Sequence, residues 1–285
     1  MAINISARID NAYPKLSKSH RKIANIVLRD FDKVAYMTAG KLAAHCGVSE
    51  ATVVRFATKL GYNGYSELQR AIQELLRIKL TPNQRIEVTK KLLGKNDLIE
   101  NVMESDIRKI RFTLDNLNRE SFNMAVDTIL EAEKIFIIGA RSSEPIARIL
   151  YYNLSLIFDN VKFVQPTSSA EVFEQMLSIG EKDCIIAFSF PRYSSKVVNA
   201  VKFANQKGAG VIVVTDSEVS PLAEYATYLL TAQSDMASFM DSLVAPISII
   251  NAMIVQITGR KEREIRRRFD TLEMLWDEYE VYTKR

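Results

Sequence analysis

Apolar residues in the first 80 positions recur at the three- and four-residue intervals of amphipathic helices. A helix is predicted over 17–31, and a shorter one over 38–45 with Thr38 as its N-cap. The apolar positions of the longer helix are Ile23, Ala24, Ile26, Val27, Leu28 and Phe31.

Glycine and serine positions delimit the next two helices. Gly47 ends the second helix, because glycine tolerates the left-handed backbone found at helix C-termini. Ser49 is suited to cap a third helix that runs to about Leu60, and Gly61 suits its C-terminal turn. Residues 64–80 predict a fourth helix. An all-α domain is therefore expected over this part of the chain.

The pattern changes to short apolar runs that alternate with helical stretches. These runs are 134–139, 161–164, 183–189, 210–215 and 227–231. Continuous apolar strands separated by single helices favour right-handed crossovers and a parallel sheet covered on both faces. The sequence thus predicts a doubly wound α/β domain with a five-stranded parallel sheet sandwiched by helices.

The remaining segments have helical patterns. A long helix is predicted from about Met236 to Thr258, and the highly charged tail has apolar residues at helical spacing. The predicted divisions are 1–80 for the first domain, 81–118 for a helical linker, 119–258 for the α/β domain and 259–285 for a charged C-terminal helix.

Charge is divided unevenly between these parts. Residues 1–80 hold 13 Lys or Arg against 6 Asp or Glu, whereas the whole chain has a net charge of +4. A basic domain favours a polyanionic partner such as nucleic acid, although a solvated basic face is the alternative on charge alone.

Several classes of protein are not favoured. The N-terminus lacks the apolar core of a signal peptide, and Pro246 interrupts the apolar run 243–257, so a cytoplasmic protein without a membrane partner is expected. Cys46 and Cys184 lack ligand spacing, which favours buried free thiols over a disulfide or a metal site. No cofactor is expected.

A helix-turn-helix signature lies within the predicted second and third helices. Ala43, Gly47 and Val53 supply the small residue at the helix crossing, the turn glycine and the apolar residue that sets the angle. Any two-helix corner with a glycine turn is the alternative. The exposed side of the third helix would then make the groove contacts.

The segment TAGKLAAHCGVSEATVVRFATKLGYNGYSELQ closely resembles the N-terminal domain of RpiR-type bacterial regulators, and LSKSHRKIANIVLRDF upstream matches as well. The resemblance implies that the helix 49–60 enters the major groove of double-stranded DNA. Tyr62 and Tyr65 follow that helix, where either phosphate contact or buried packing is expected. The predicted DNA-contacting residues are Ser49, Thr52, Arg55, Lys59 and Tyr62.

Two serine-rich loops follow the first and third predicted strands, at 139–143 and 189–195. Hydroxyls beside unpaired backbone N–H groups at a helix N-terminus form an anion site, whereas simple helix capping by serine is the alternative. The predicted ligand-binding residues are Gly139, Arg141, Ser142, Ser143, Ser189, Arg192, Ser194 and Ser195.

Residues 120–258 resemble the sugar isomerase (SIS) domain, which accompanies this helix-turn-helix in RpiR-type regulators. The family's strand order, 2-1-3-4-5, would place both loops at the switch point of the sheet. The sequence departs from the family pattern at Arg141, which replaces a glycine, and at Pro191 and Arg192, which replace a serine and a glycine. Two close-approach backbone positions are therefore expected to be lost. Both arginines either contact an anionic ligand or form surface ion pairs.

The resemblance implies a DNA-binding transcriptional regulator that is controlled by a phosphosugar or another carbohydrate derivative. It is expected to bind an inverted-repeat operator as a homodimer or homotetramer, with dimer contacts from the α/β domain and the tail. The first alternative is a sugar-phosphate aldose–ketose isomerase that uses Glu144 or Glu171 as its base. Because His20 and His45 both lie in the N-terminal domain, no catalytic residue is expected. A scaffold that binds no small molecule is the other alternative.

Overall fold

The N-terminal unit of the chain is helical. The computed structural model describes residues 5–93, 97–236 and 238–283, and the chain divides into units 1–88 and 89–285. The predicted linker therefore includes residues 94–96, which lie outside the described residues. The N-terminal helices are α1 (Ile5–Ala12), α2 (Lys18–Arg29), α3 (Phe31–Val34), α4 (Ala39–Cys46), α5 (Glu50–Lys59), α6 (Tyr65–Lys79) and, across the division, α7 (Pro82–Leu93).

Three of these helices begin at a hydroxyl side chain. Ser17, Thr38 and Ser49 accept hydrogen bonds from backbone N–H groups three residues later, each at 3.3 Å. Each cap satisfies a donor that would otherwise lack a partner, and such a cap stabilises a helix by about 1 kcal/mol. The predicted caps at Thr38 and Ser49 are confirmed.

The second unit contains the sheet and its covering helices. Its elements are α8 (Leu98–Asn116), α9 (Arg119–Glu131), β1 (Ile135–Gly139), α10 (Glu144–Ile157), β2 (Val161–Val164), α11 (Ser169–Gln175), β3 (Cys184–Phe188), α12 (Ser195–Gln206), β4 (Gly210–Thr215), β5 (Tyr228–Thr231), α13 (Val244–Arg260) and α14 (Glu262–Glu278).

All five strands pair in parallel in the order β2-β1-β3-β4-β5, which confirms the predicted fold class and strand order. Every residue of β1 and β3 is buried. Ile137 packs with Leu150 and Ile250 on one face of the sheet, whereas Ile138 packs with Val201 on the other. Burial on both faces explains why these strands are apolar without alternation. No helix of the described residues is long and apolar enough to span a membrane.

The predicted start of the last long helix was wrong. α13 begins at Val244, and the residues before it form a loop in which Met236 and Asp241 make an isolated antiparallel bridge. Ser242 N–H donates to the carbonyl of Asp235 at 3.0 Å. This backbone hydrogen bond, and that from the N–H of Ser238 to the carbonyl of Met240 at 3.3 Å, replace helical ones in the loop, which the apolar periodicity did not show.

Gly139 ends β1 where α10 crosses over the sheet. A Cβ at this position would lie 2.5 Å from the backbone oxygen of Ser143 and 2.8 Å from the Cβ of Ala147. Both distances are shorter than van der Waals contact. Gly139 therefore permits close packing of strand and helix, and its predicted ligand contact remains a prediction.

We expect Gly139→Ala to lower the free energy of unfolding by about 1–3 kcal/mol, since the added methyl group forces strand and helix apart. Urea unfolding followed by the fluorescence of Trp276, the chain's single tryptophan, measures the loss. Gly180→Ala is the matched control, because its Cβ would meet no atom within 4 Å. Equal stability of the two variants would contradict this packing role.

Candidate functional sites

The helices α4 and α5 meet at a turn with the geometry that the helix-turn-helix signature requires. Gly47 has a left-handed backbone (φ 64°), and the N–H of Val48 donates to the carbonyl of Ala43 at 3.0 Å. Ala43 and Val53 are both buried. The small residue, the glycine and the apolar residue thus have the predicted structural roles, and the opposite side of α5 is left exposed.

The exposed side of α5 carries a connected row of polar side chains. Ser49 and Thr52 share a hydrogen bond of 2.8 Å between their hydroxyls, and Nη2 of Arg55 donates to Oγ1 of Thr52 at 3.4 Å. Arg55 and Lys59 are exposed, whereas Thr52 is half-buried. The row orients a guanidinium outward from the middle of the helix.

Positive charge is concentrated beside this row. His20 packs edge-on against Phe56 with their ring centroids 5.8 Å apart. Burial lowers the pKa of His20, and the nearby charges of Arg55 and Lys59 lower it further. The contributions of Arg55 and Lys59 reflect a positive potential at this surface, which favours an anionic partner.

The structure supports the packing alternative for both tyrosines. Tyr62 is 7% exposed and its ring lies under the guanidinium of Arg8, 4.7 Å from the ring centroid. Tyr65 donates its hydroxyl to the carbonyl of Met37 at 2.6 Å, and burial raises its pKa to about 12. The ring of Tyr62 is therefore buried, and its contact with DNA stays a prediction.

Arg8 was missed by the sequence analysis. Its Nη1 donates to the carbonyls of Leu60 and Gly61, at 3.2 and 3.4 Å. These carbonyls lie at the C-terminal end of α5, where backbone acceptors lack partners within the helix and favour a cation. Arg8 thus fixes the end of the exposed helix from a distant position in the sequence, which no local pattern indicates.

In the α/β unit, the predicted anion loops follow neighbouring strands. Gly139, the last residue of β1, is in register with Phe188, the last residue of β3. Because the strands are parallel, the loops that follow them leave the same edge of the sheet side by side. The structure therefore brings together the two loops predicted to form one site.

The backbone of these loops has a left-handed residue at each of the two arginines. Arg141 and Arg192 have φ angles of 57° and 64°, in the region that favours glycine. Both arginines thus keep the backbone conformation available to the glycines they replace, although their side chains remain, and the loss of two close-approach backbone positions stays a prediction. The left-handed conformation costs roughly 1–2 kcal/mol at each such residue.

The serines of these loops do not act as side-chain caps. Ser143 and Ser194 occupy the N-cap positions of α10 and α12, yet neither hydroxyl accepts a hydrogen bond from its helix. Ser143 and Ser189 are buried, whereas Ser142 and Ser195 are exposed. Simple capping, the alternative explanation for serine at these positions, is therefore not what the structure shows.

Polar contacts connect the β3–α12 loop to the loop after β4. The hydroxyl of Tyr193 donates to Oδ1 of Asp216 at 2.8 Å, and Oγ1 of Thr215 donates to the carbonyl of Ser189 at 2.7 Å. Oγ of Ser217 is buried without a hydrogen-bond partner among the described residues. These residues were missed because sequence spacing does not show which loops of a parallel sheet touch.

The carboxylates considered as isomerase bases have other partners. Glu144 accepts a hydrogen bond from Nε of Arg148 at 2.9 Å, and Nη2 of Arg148 forms an ion pair with the same carboxylate oxygen at 2.8 Å. A hydrogen bond from Thr167 lowers the pKa of Glu171, with further contributions from Ser168. Among the described residues, no carboxylate forms an ion pair with Arg141 or Arg192, both of which are exposed.

Comparisons with protein families match the two units separately. Residues 3–78 match the helix-turn-helix domain of the rpiR family, and residues 128–256 match the SIS domain. Similar curated proteins are an HTH-type transcriptional regulator of Haemophilus influenzae, 28% identical over 89% of this chain and 90% of the relative, and HexR of Escherichia coli, 24% identical over 93% and 91%.

Solved structures show a similar fold. The NanR protein of Vibrio vulnificus, complexed with ManNAc-6P, is 21% identical with a TM-score of 0.61 over 99% of this chain and all of that chain. The sugar isomerase domain of an RpiR transcription factor from Sphaerobacter thermophilus is 24% identical with a TM-score of 0.58, over 61% of this chain and 96% of that chain.

The left-handed backbone at Arg192 should affect the free energy of unfolding of variants at this position. We expect Arg192→Gly to be more stable than Arg192→Ala by about 1 kcal/mol, because only glycine adopts a φ of 64° without steric cost. Lys202 in the middle of α12 is the control, where alanine should be the better residue by about 1 kcal/mol. Urea unfolding of the four variants measures both differences, and the same order at both positions would disprove the strained backbone.

Proposed function

Since the chain belongs to the RpiR-type family of transcriptional regulators, we propose that α5 binds a double-stranded operator and that the two loops at the sheet edge bind a phosphorylated sugar or a related carbohydrate derivative. The transcriptional role follows from the rpiR helix-turn-helix and SIS matches and from the named relatives. The DNA contacts and the effector are the parts that need testing.

One observation carries the proposal for the effector. Two adjacent helices begin with serines whose hydroxyls leave the helix N–H groups without a side-chain acceptor. The N-termini of both helices present the positive end of the helix dipole, which favours an anion. The open donors belong to α12, where the N–H groups of Ser195 and Lys196 have no acceptor among the described residues. In α10 the N–H of Glu144 donates to the carbonyl of Arg141, and Pro145 has no N–H. A phosphate at this edge would satisfy donors that the protein leaves open.

The side chains around these helix ends suit the rest of such a ligand. Arg141 and Arg192 carry planar guanidinium forks that match a phosphate or carboxylate. Asp216 and Ser217 lie in the loop after β4. The carboxylate of Asp216, which accepts a hydrogen bond from Tyr193, and the buried hydroxyl of Ser217, which has no partner among the described residues, suit the hydroxyl groups of a sugar. The complex of the similar NanR protein with ManNAc-6P supports this class of ligand.

We infer that the regulator is a two-fold homodimer or an even-numbered homo-oligomer. One helix covers a few base pairs, so two copies of α5 would read half-sites one helical turn apart in an inverted repeat. The effector changes operator binding only through a different affinity for two states of the protein.

The isomerase alternative is weakened by the contacts of its two candidate bases. A general base works best with a pKa near the operating pH, whereas the pKa of Glu171 is lowered. Glu144 is in an ion pair with Arg148. The relatives are named as transcriptional regulators, which agrees with the regulatory function.

We expect Arg55→Ala to weaken operator binding by about 5- to 150-fold at fixed salt, as for a lost contact of roughly 1–3 kcal/mol. Electrophoretic mobility shift or fluorescence anisotropy with the promoter region of its own gene measures the change. Arg70→Ala is the matched control, since Arg70 is an exposed arginine on α6. Equal affinities of the folded Arg55→Ala variant and the wild type would place the recognition surface elsewhere.

We expect Arg192→Gly to reduce effector affinity at least tenfold while operator affinity in the absence of effector is kept. This variant removes the guanidinium and retains the left-handed backbone. Isothermal calorimetry is performed with ManNAc-6P and with whichever of a panel of sugar phosphates raises the melting temperature. Arg192→Lys should restore only part of the affinity, because an ammonium group cannot make the bidentate contact. Lys202→Ala is the control, and unchanged affinity in Arg192→Gly would show that Arg192 does not bind the effector.

A further inference from the structure

The helix α8 buries polar side chains and leaves a stripe of apolar ones exposed, unlike most helices on a globular unit. The side facing the α/β unit is polar, since Lys109 and Thr113 are 5% and 6% exposed. An apolar stripe at intervals of four, four, three and four residues runs beside this buried side, about 100° around the helix. The stripe consists of Ile99, Met103, Ile107, Ile110 and Leu114, which are exposed by 74, 62, 56, 39 and 44%.

Hydrogen bonds hold the polar side in place. Nζ of Lys109 donates to Oγ of Ser105 at 2.8 Å and to Oδ1 of Asp106 at 3.2 Å. Oγ of Ser242 donates to the same carboxylate oxygen at 2.7 Å. The N–H of Gln233 donates to Oγ1 of Thr113 at 2.9 Å. These contacts prevent the helix from rotating its apolar stripe inward. The stripe can therefore be removed from water only when a partner covers it.

The charged residues beside the stripe indicate the orientation in which a second copy of α8 would pair with it. Glu100 and Glu104 flank its first half, whereas Arg108 and Arg111 flank its second half, and all four are exposed. A parallel pair of α8 helices would place like charges opposite each other. An antiparallel pair would place the acidic half of one helix against the basic half of the other.

The spacing of the stripe fits the same arrangement. When two copies of α8 run antiparallel about a two-fold axis near Ile107, Ile99 lies opposite Leu114 of the second copy and Met103 lies opposite Ile110. Each apolar residue thus meets an apolar residue, as ridge-and-groove packing of helices requires. A two-fold axis makes the stripe complementary to itself.

We propose that α8 pairs antiparallel with α8 of a second copy of this chain and forms part of its dimer interface. The inference deepens the proposed two-fold regulator by naming the surface that holds the copies together. It concerns α8 in the predicted linker, outside the α/β and tail segments from which dimer contacts were expected. Its test uses neither operator nor effector. A monomeric wild-type chain would overturn both this proposal and the proposed homo-oligomer, whereas charge-reversal variants that dimerise as well as wild type would overturn this proposal alone.

Charge reversal in the full chain tests the orientation. In an antiparallel pair, Glu104→Arg opposes Arg111 of the other copy, and Arg111→Glu opposes Glu104. We expect each single variant to raise the dimer dissociation constant about tenfold or more and the double variant to restore it to within about threefold of wild type. Sedimentation velocity over a range of protein concentrations measures the constants. Glu174→Arg, an exposed residue on α11, is the matched control.

The opposite results overturn the proposal. A wild-type chain that stays monomeric, or single variants that dimerise as well as wild type, would show that α8 does not pair in this way. Cysteine pairing gives a second measurement, because Cys46 and Cys184 are buried. A mixture of Met103→Cys and Ile110→Cys chains should form a disulfide between copies under mild oxidation, in higher yield than either variant alone. Higher yield from the separate variants would indicate a parallel pair and reject the antiparallel one.

Discussion

In-register pairing of β1 with β3 is the constraint on which the α/β unit depends. Both strands are buried along their whole length, so their positions are fixed by contacts on two faces and two edges. Because Gly139 and Phe188 are paired, the chain leaves both strands at one point of the sheet edge. The helices α10 and α12 must then begin beside each other, and the positive ends of their dipoles converge. The proposed anion site at this edge would thus depend on strand register before any side chain contributes to it.

The left-handed arginines show that the backbone of these loops is determined by the sheet more than by local preference. The chain turns sharply between each strand end and the following helix, and the turn is made at Arg141 and Arg192 (φ 57° and 64°), where glycine would cost less. Residues in unfavourable conformations persist when surrounding structure fixes them, and they concentrate at binding sites. The strain is understandable if the guanidinium groups serve the ligand, since a glycine would give the same turn without a charge.

Periodicity in the sequence was sufficient to predict the strands, because burial on both faces leaves no polar position in β1 or β3. It was not sufficient for the start of α13, where the polar residues before Val244 form their own hydrogen bonds. The positions of the two loops after β1 and β3 were predictable from the pattern, but the left-handed backbone of their arginines was not. Contacts between distant segments, such as Arg8 with the end of α5, left no local signal in the sequence.

The buried polar side of α8 is hydrogen-bonded to the end of the sheet. The contacts that hold its polar side come from Gln233 and Ser242, in the segment that follows β5. All strands are parallel, so this segment leaves the sheet at the same edge as the two anion loops. A ligand at that edge acts on α8 only if it has different affinities for two arrangements of these hydrogen bonds. By reciprocity, a protein whose α8 helices are paired would then bind the ligand with a different affinity from one whose helices are separate. If both proposals hold, the hydrogen bonds of Thr113 and Asp106 are where effector binding and self-association would be coupled.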